Sequence, residues 1–103
     1  MPRKASIVLA LPRDVEQALM ALGERLMFAR KRRKETLASF AERLSISVPT
    51  LMKMERGNPT VSIAVYATAL WAFGRIKSLP EIVDPLLDDK AIELEIARIK
   101  KRR

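Results

Sequence analysis

The sequence contains neither cysteine nor histidine. The chain therefore lacks thiol nucleophiles, imidazole bases, disulfide bonds and the usual ligands of zinc. We expect a protein that catalyses no reaction and holds no metal or cofactor. The absence of disulfide bonds fits a reducing compartment, so a cytoplasmic location is predicted.

Long apolar runs are also lacking. The run at residues 7–11 ends at Pro12, whereas a signal peptide needs roughly 7–15 apolar residues and a membrane span roughly 20. Only 3 glycines and 6 prolines punctuate the 103 residues, and a chain of this length fits one domain. We expect a small folded protein without a membrane segment.

Basic side chains outnumber acidic ones, and the net charge is +8. Residues 1–78 carry 14 basic and 6 acidic side chains, residues 79–97 carry one lysine and six acidic side chains, and residues 98–103 carry five basic ones. A basic body attracts a polyanion such as nucleic acid. A solvated basic surface without such a partner is the alternative that charge alone leaves open.

Apolar residues recur every three or four positions along most of the chain, which predicts amphipathic helices and an all-α fold. We expect helices over 15–33, 37–44, 48–56 and 63–73, capped by Asp14, Thr36, Ser47 and Ser62. Residues 79–87 predict one or two short turns. Residues 90–99 fit either a helix or a strand.

Residues 7–11 are apolar and partly β-branched, which predicts a short N-terminal strand. An all-helical domain offers this strand no neighbour. The strand either adds to the structure of its own domain or pairs with its twin in a homodimer, and we favour the homodimer. The predicted dimer residues are Ile7, Val8, Leu9 and Leu11.

Only residues 45–47 join two of the short predicted helices, and this arrangement is typical of a helix-turn-helix. In that motif the second helix enters the major groove of DNA, and its outward N-terminal residues approach the bases. At 100° per residue, Leu51 and Met54 face the core, and the opposite side carries Pro49, Met52, Lys53 and Arg56. An ordinary core helix is the alternative.

Double-stranded DNA is therefore the predicted partner. The predicted base-reading residues are Val48, Pro49, Thr50, Met52 and Lys53, and the predicted phosphate contacts are Arg30, Arg33, Thr36, Ser47 and Arg56. The basic cluster at 30–34 also suits a helix C-terminus, so a solvated helix end is the alternative there. The chain then divides into an N-terminal arm (1–14), a DNA-binding domain (15–78) and a C-terminal extension with a basic tail (79–103).

An ordered set of residues between positions 22 and 57 resembles the Cro/repressor-type (XRE-like) helix-turn-helix family. The set comprises Leu22-Gly23, Arg25-Leu26, Ala29-Arg30, Thr36, Phe40-Ala41-Glu42-Arg43-Leu44, Ser47, Thr50-Leu51 and Lys53-Met54-Glu55-Arg56-Gly57. The chain continues with Asn58-Pro59-Thr60-Val61-Ser62, Leu70-Trp71-Ala72-Phe73-Gly74, Asp84-Pro85 and the basic tail. This continuation resembles the HipB-like branch, the DNA-binding antitoxins of HipA-type kinase toxins.

The resemblance implies a five-helix Cro/repressor-like domain, a repressor that regulates its own operon, and a HipA-like kinase toxin as a second partner. Three positions depart from the family pattern. Leu37 stands where many relatives have a glutamine that bonds a DNA phosphate, and Lys34 and Ser45 stand where glycine is frequent. The alternatives are a stand-alone regulator of the same fold without a toxin, and a protein-interaction adaptor that has lost DNA binding.

Overall fold

The structure is a computed structural model, and it describes residues 10–102. The described residues form α1 (Arg13–Arg32), α2 (Leu37–Arg43), α3 (Val48–Glu55), α4 (Ile63–Ala72), α5 (Ser78–Glu81), a 3-10 turn (Pro85–Leu87) and α6 (Asp89–Lys101). No strand occurs among them, which confirms the all-α prediction. No helix within residues 10–102 combines the length and the apolar character needed to cross a lipid bilayer.

The predicted N-terminal strand lies largely outside the described residues. Ile7, Val8 and Leu9 belong to the part of the chain that is not described, and Ala10 and Leu11 form a turn and an irregular segment. The prediction that residues 7–11 pair across a dimer is therefore not addressed by the described structure.

Three helices begin at the residues predicted to cap them. The hydroxyl oxygens of Thr36, Ser47 and Ser62 accept hydrogen bonds from the backbone amides of Ser39, Thr50 and Ala64 at 3.1, 3.2 and 3.0 Å. Each bond satisfies one amide that has no partner within its helix. These caps fix the starts of α2, α3 and α4.

The start of α1 differs from the prediction. The capping position is Pro12 rather than Asp14, and no side chain caps this helix. Proline has no amide hydrogen and a fixed φ suited to helix entry, so the helix begins two residues earlier than predicted. Asp14 lies instead in the first turn, where its negative charge is favourable at the positive end of the helix dipole.

The segment that the sequence left open between helix and strand is helical. Asp88 caps α6 by accepting a hydrogen bond from the Ala91 amide at 3.1 Å. In front of it lie α5 (Ser78–Glu81) and the 3-10 turn (Pro85–Leu87), in agreement with the short turns expected over 79–87. None of the residues of α6 is buried, so this helix is not part of the core.

The core lies between α1, α2, α3 and α4. Its buried apolar residues are Leu26, Phe40, Ala41, Leu44, Leu51, Met54, Tyr66, Ala69 and Phe73. The rings of Phe40 and Phe73 stack with centroids 4.9 Å apart, which joins α2 to the end of α4. Burying a side chain of the size of leucine or methionine stabilises a fold by about 1.5–3 kcal/mol, so Leu51 and Met54, both fully buried, hold α3 in one orientation.

Two glycines allow α1 to cross closely over the end of α3. A Cβ atom added at Gly23 would lie 2.5 Å from the backbone nitrogen of Gly57, closer than atoms can approach. Gly57 has a φ of +73° and itself packs against the backbone of Leu19. This left-handed conformation and the close contact both favour a residue without a side chain.

The connection from α3 to α4 is a hydrogen-bonded turn. The side-chain oxygen of Asn58 accepts a hydrogen bond from the Thr60 amide at 2.8 Å, and the Asn58 carbonyl accepts one from the Tyr66 hydroxyl at 2.9 Å. Burial raises the pKa of the Tyr66 phenol above its ordinary value of 10.0, so the hydroxyl keeps its proton and its role as donor at neutral pH. The turn thus ties the end of α3 to the buried side of α4.

Candidate nucleic-acid interface

Helices α2 and α3 form a helix-turn-helix unit. Residues 44–47 connect them, and Ser45 adopts a left-handed φ of 57°. The Ser45 and Ile46 amides bond the carbonyls of Glu42 and Ala41, each at 3.0 Å, and Ile46 packs against the core. The turn is therefore fixed by backbone hydrogen bonds and by one apolar anchor. Lys34, in the preceding connection, has the same conformation with a φ of 56°, so both positions where glycine was expected need left-handed backbone.

The inner and outer faces of α3 are those that helical periodicity predicted. Leu51 and Met54 have no exposed surface. Pro49, Met52 and Lys53 lie on the exposed side of the helix. The two other predicted base-reading residues, Val48 and Thr50, are half-buried. Three of the five are therefore exposed, Met52 to 37%, and the contact of any of them with DNA stays a prediction.

Arg30 has a structural contact in place of the predicted phosphate contact. The Nε and Nη2 atoms of Arg30 donate to the Glu55 carboxylate at 2.7 and 3.1 Å, and Nη1 donates to the Glu35 carbonyl at 2.9 Å. Only 6% of the Arg30 surface is exposed. The prediction for Arg30 is corrected, because Arg30 follows Gly23 and Leu26 on the buried face of α1 and neutralises a buried carboxylate.

Arg33 is exposed but already makes contacts within the chain. One guanidinium nitrogen donates to the Ala29 carbonyl at 3.0 Å, and the guanidinium carbon lies 4.6 Å from the centre of the Phe73 ring. A cation over an aromatic face is stabilised by the charge distribution of the ring. These contacts hold Arg33 between α1 and the end of α4.

Thr36 and Ser47 are exposed, and their hydroxyls serve as helix caps. The Ser47 hydroxyl also donates to the Thr50 hydroxyl at 2.9 Å, so its proton is already in use. The Thr36 hydroxyl accepts one bond from the Ser39 amide and keeps a proton to donate. Of these two predicted phosphate contacts, Thr36 has the donor that a phosphate oxygen requires.

Lys31 was not among the DNA contacts predicted from the sequence. Lys31 is exposed and lines a shallow depression together with Met27, Leu37, Met52 and Arg56. The buried pair of Arg30 and Glu55 lines the same depression. Helical spacing could have identified Lys31, because it lies four residues after Met27 and away from the buried face that carries Arg30.

The exposed cations beside α3 have no anionic partner within the described residues. The ion pairs between side chains of residues 10–102 join Arg30 to Glu55 and Arg43 to Glu35. Lys31, Lys53 and Arg56 form none. The outward face of α3 and the adjacent end of α1 therefore present three positive charges, which we call the cationic surface, around the apolar side chain of Met52.

A comparison with models of protein families, with curated proteins and with solved structures gave no match to this chain. The resemblance to the Cro/repressor-type family and its HipB-like branch therefore stays a prediction that rests on the residues quoted above.

Proposed function

We propose that this chain is a cytoplasmic, sequence-specific DNA-binding repressor with a Cro/repressor-like domain, which acts as a homodimer and inserts α3 into the major groove. The observation that carries the proposal is the cationic surface. Lys31, Lys53 and Arg56 have no partner among the described residues and surround the outward face of the second helix of a helix-turn-helix.

The dimensions of DNA fit such a helix. The major groove is about 12 Å wide and admits an α-helix, and the second helix of this motif contacts the base edges through its N-terminal residues. In α3 these residues are Val48, Pro49, Thr50 and Met52. Lys53 follows them on the exposed side, where its ammonium group can reach a guanine or a phosphate oxygen.

Arg56 and Lys31 are assigned to the DNA backbone. They line the same depression as Met52, so they flank α3 on the side of α1. Cations beside a groove-bound helix meet phosphates and release the counterions that surround DNA, which supplies much of the affinity. Buried Arg30 takes no direct part but fixes the position of Glu55 at the end of α3.

The HipB-like resemblance extends the proposal to a HipA-like kinase toxin as partner and to regulation of the shared operon. Expression of a HipA-type kinase encoded beside this gene should arrest growth, and co-expression of this chain should restore growth. Growth arrest that the chain does not relieve would instead support a stand-alone regulator.

Matched charge reversals test the DNA-binding surface. Lys53→Glu should weaken binding to duplex DNA from directly upstream of the gene by roughly a hundredfold, because it removes a positive charge that attracts the DNA and adds repulsion. Lys77→Glu reverses another exposed lysine, which lies outside α3, and should change the affinity by no more than about threefold, because solvent and salt screen charges away from the docking surface.

Fluorescence anisotropy gives both affinities, and circular dichroism checks that each variant keeps its helices. Equal effects of the two reversals would contradict the assignment of α3. A wild-type chain that does not bind any duplex would favour the protein-interaction adaptor.

A further inference from the structure

The segment that follows α4 exposes an unusual amount of apolar surface. Between residues 82 and 99, large exposed apolar side chains occur at Ile82, Val83, Leu86, Leu87, Leu94, Ile96 and Ile99. So many large exposed apolar side chains in one segment are typical of an interaction site. Leu94, Ile96 and Ile99 belong to α6, none of whose residues is buried, so the rest of the described chain does not cover this helix.

Helix α6 concentrates most of its apolar side chains on one stripe. Ile92, Ile96 and Ile99 are spaced by four and three residues, the spacing of a helix that packs along another helix. Leu94 lies on the opposite side of α6, because it is offset from Ile96 by about 200°. The stripe therefore lies on one side of α6, and Leu94 on the other side serves as a control.

The charges on α6 identify what covers the stripe. Four acidic residues and one lysine lie at positions 88–95, whereas residues 96–102 carry four basic residues and no acidic one. Glu93 and Lys100 lie along one edge of the isoleucine stripe, and Glu95 and Arg102 lie along the other. Along each edge the charge therefore changes from negative to positive toward the C-terminus. When a second copy of α6 lies alongside in the opposite direction, its positive end faces the negative end of the first.

We propose that α6 pairs with α6 of a second copy of this chain in antiparallel orientation. Ile96 then packs against the second copy's Ile99, and Glu93 and Glu95 face the second copy's Lys100 and Arg102. A parallel pair would instead bring the two acidic halves together and the two basic halves together, which repel. The pairing is a two-fold contact in which both copies use the same surface.

The apolar residues that precede α6 enlarge this interface. A stable dimer buries about 800 Å² on each subunit, more than three isoleucines supply. Ile82, Val83, Leu86 and Leu87 are exposed immediately before α6, and in the proposed dimer they add contacts outside the two paired helices. The inference rests on the proposed homodimer but not on DNA binding, because sedimentation measures the assembly without DNA.

Sedimentation equilibrium of the full chain tests the pairing. The wild type should be a dimer, and Ile96→Asp should raise the dimer dissociation constant by at least about tenfold, because it places a charge in the apolar stripe. Leu94→Asp, on the opposite side, should leave that constant within about threefold of the wild type. A monomeric wild type, or equal effects of the two variants, would overturn the proposal.

A charge exchange tests the antiparallel register. Glu93→Lys alone and Lys100→Glu alone should each weaken the dimer, whereas the double variant should restore it, because the exchanged charges attract again across the two-fold axis. Circular dichroism checks that each variant keeps α6 helical. A double variant as weak as the singles would overturn the antiparallel pairing.

A third variant tests the alternative interface at residues 7–11, which was predicted from the sequence. Val8→Asp in the full chain should leave the dimer intact if α6 forms the interface. A chain that becomes monomeric with Val8→Asp and stays dimeric with Ile96→Asp would overturn the pairing through α6 and place the interface at residues 7–11. Neither result bears on whether Lys53 contacts DNA.

Discussion

The ion pair of Arg30 and Glu55 links α1 to the end of α3. Both side chains are buried, and the guanidinium makes two hydrogen bonds to the carboxylate and one to the Glu35 carbonyl. A buried charge is tolerated when its partner is in place and is costly without it. The pair therefore fixes the distance between α1 and α3 more than it adds net stability.

Removing one partner of the pair should cost more stability than removing both. Glu55→Leu leaves the Arg30 guanidinium buried without a counter-ion, so we expect the free energy of unfolding to fall by about 3–5 kcal/mol. Arg30→Met combined with Glu55→Leu removes both charges and should recover most of that loss. Urea unfolding followed by circular dichroism measures both variants. A double variant no more stable than the single one would show that the pair itself supplies the stability.

Arg30 also shows where residue-level prediction from sequence fails. The cluster at 30–34 is uniformly basic, and composition alone does not separate its members. The buried face of α1 continues from Gly23 and Leu26 to Arg30, and a carboxylate that lies 25 residues later in the sequence makes burial of this charge acceptable. Such a distant partner is not visible in local spacing, whereas exposed Lys31 could have been found from the period of the helix.

At the scale of the element, local signals predicted α2, α3 and α4 well. Their caps at Thr36, Ser47 and Ser62 depend on bonds within three residues, and the apolar spacing of α3 gave its inner and outer faces. The prediction for 90–99 stayed open because Ile92, Leu94 and Ile96 alternate with charged residues as they would in a strand. That alternation covers few residues, and the described chain forms no sheet for a strand to join.

The side chains on α3 predict weak discrimination between bases. Val48, Pro49 and Met52 offer apolar contacts such as those to a thymine methyl group, and Lys53 lacks the planar fork with which arginine reads guanine. Single base-pair substitutions through the bound DNA should each cost less than about 3 kcal/mol. Changes in the spacing of the half-sites, about 34–36 Å apart, should cost more. Anisotropy titrations of a substitution series measure both, and one base pair whose change costs more than about 3 kcal/mol would contradict weak discrimination.

At the scale of the whole molecule, the charge distribution predicts strong dependence on salt. The cationic surface adjoins α3, while acidic residues are concentrated between positions 79 and 97. If a dimer neutralises about six phosphates, the logarithm of the association constant should fall with the logarithm of the salt concentration at a slope near −5. Anisotropy titrations over a range of potassium chloride concentrations measure the slope. A flat dependence would contradict docking through this surface.

The position of α3 on DNA is the central claim, and the absence of cysteine makes a direct measurement practical. Met52→Cys introduces the single thiol of the chain on the outward face of α3, where Met52 is 37% exposed. A thiol-linked photo-crosslinker at this position should react with bases in the major groove, at two places about one helical turn apart. The same crosslinker at Lys77→Cys should give little or no reaction. Crosslinks from position 77 as strong as those from position 52, or none from position 52 under conditions where DNA is bound, would contradict the account.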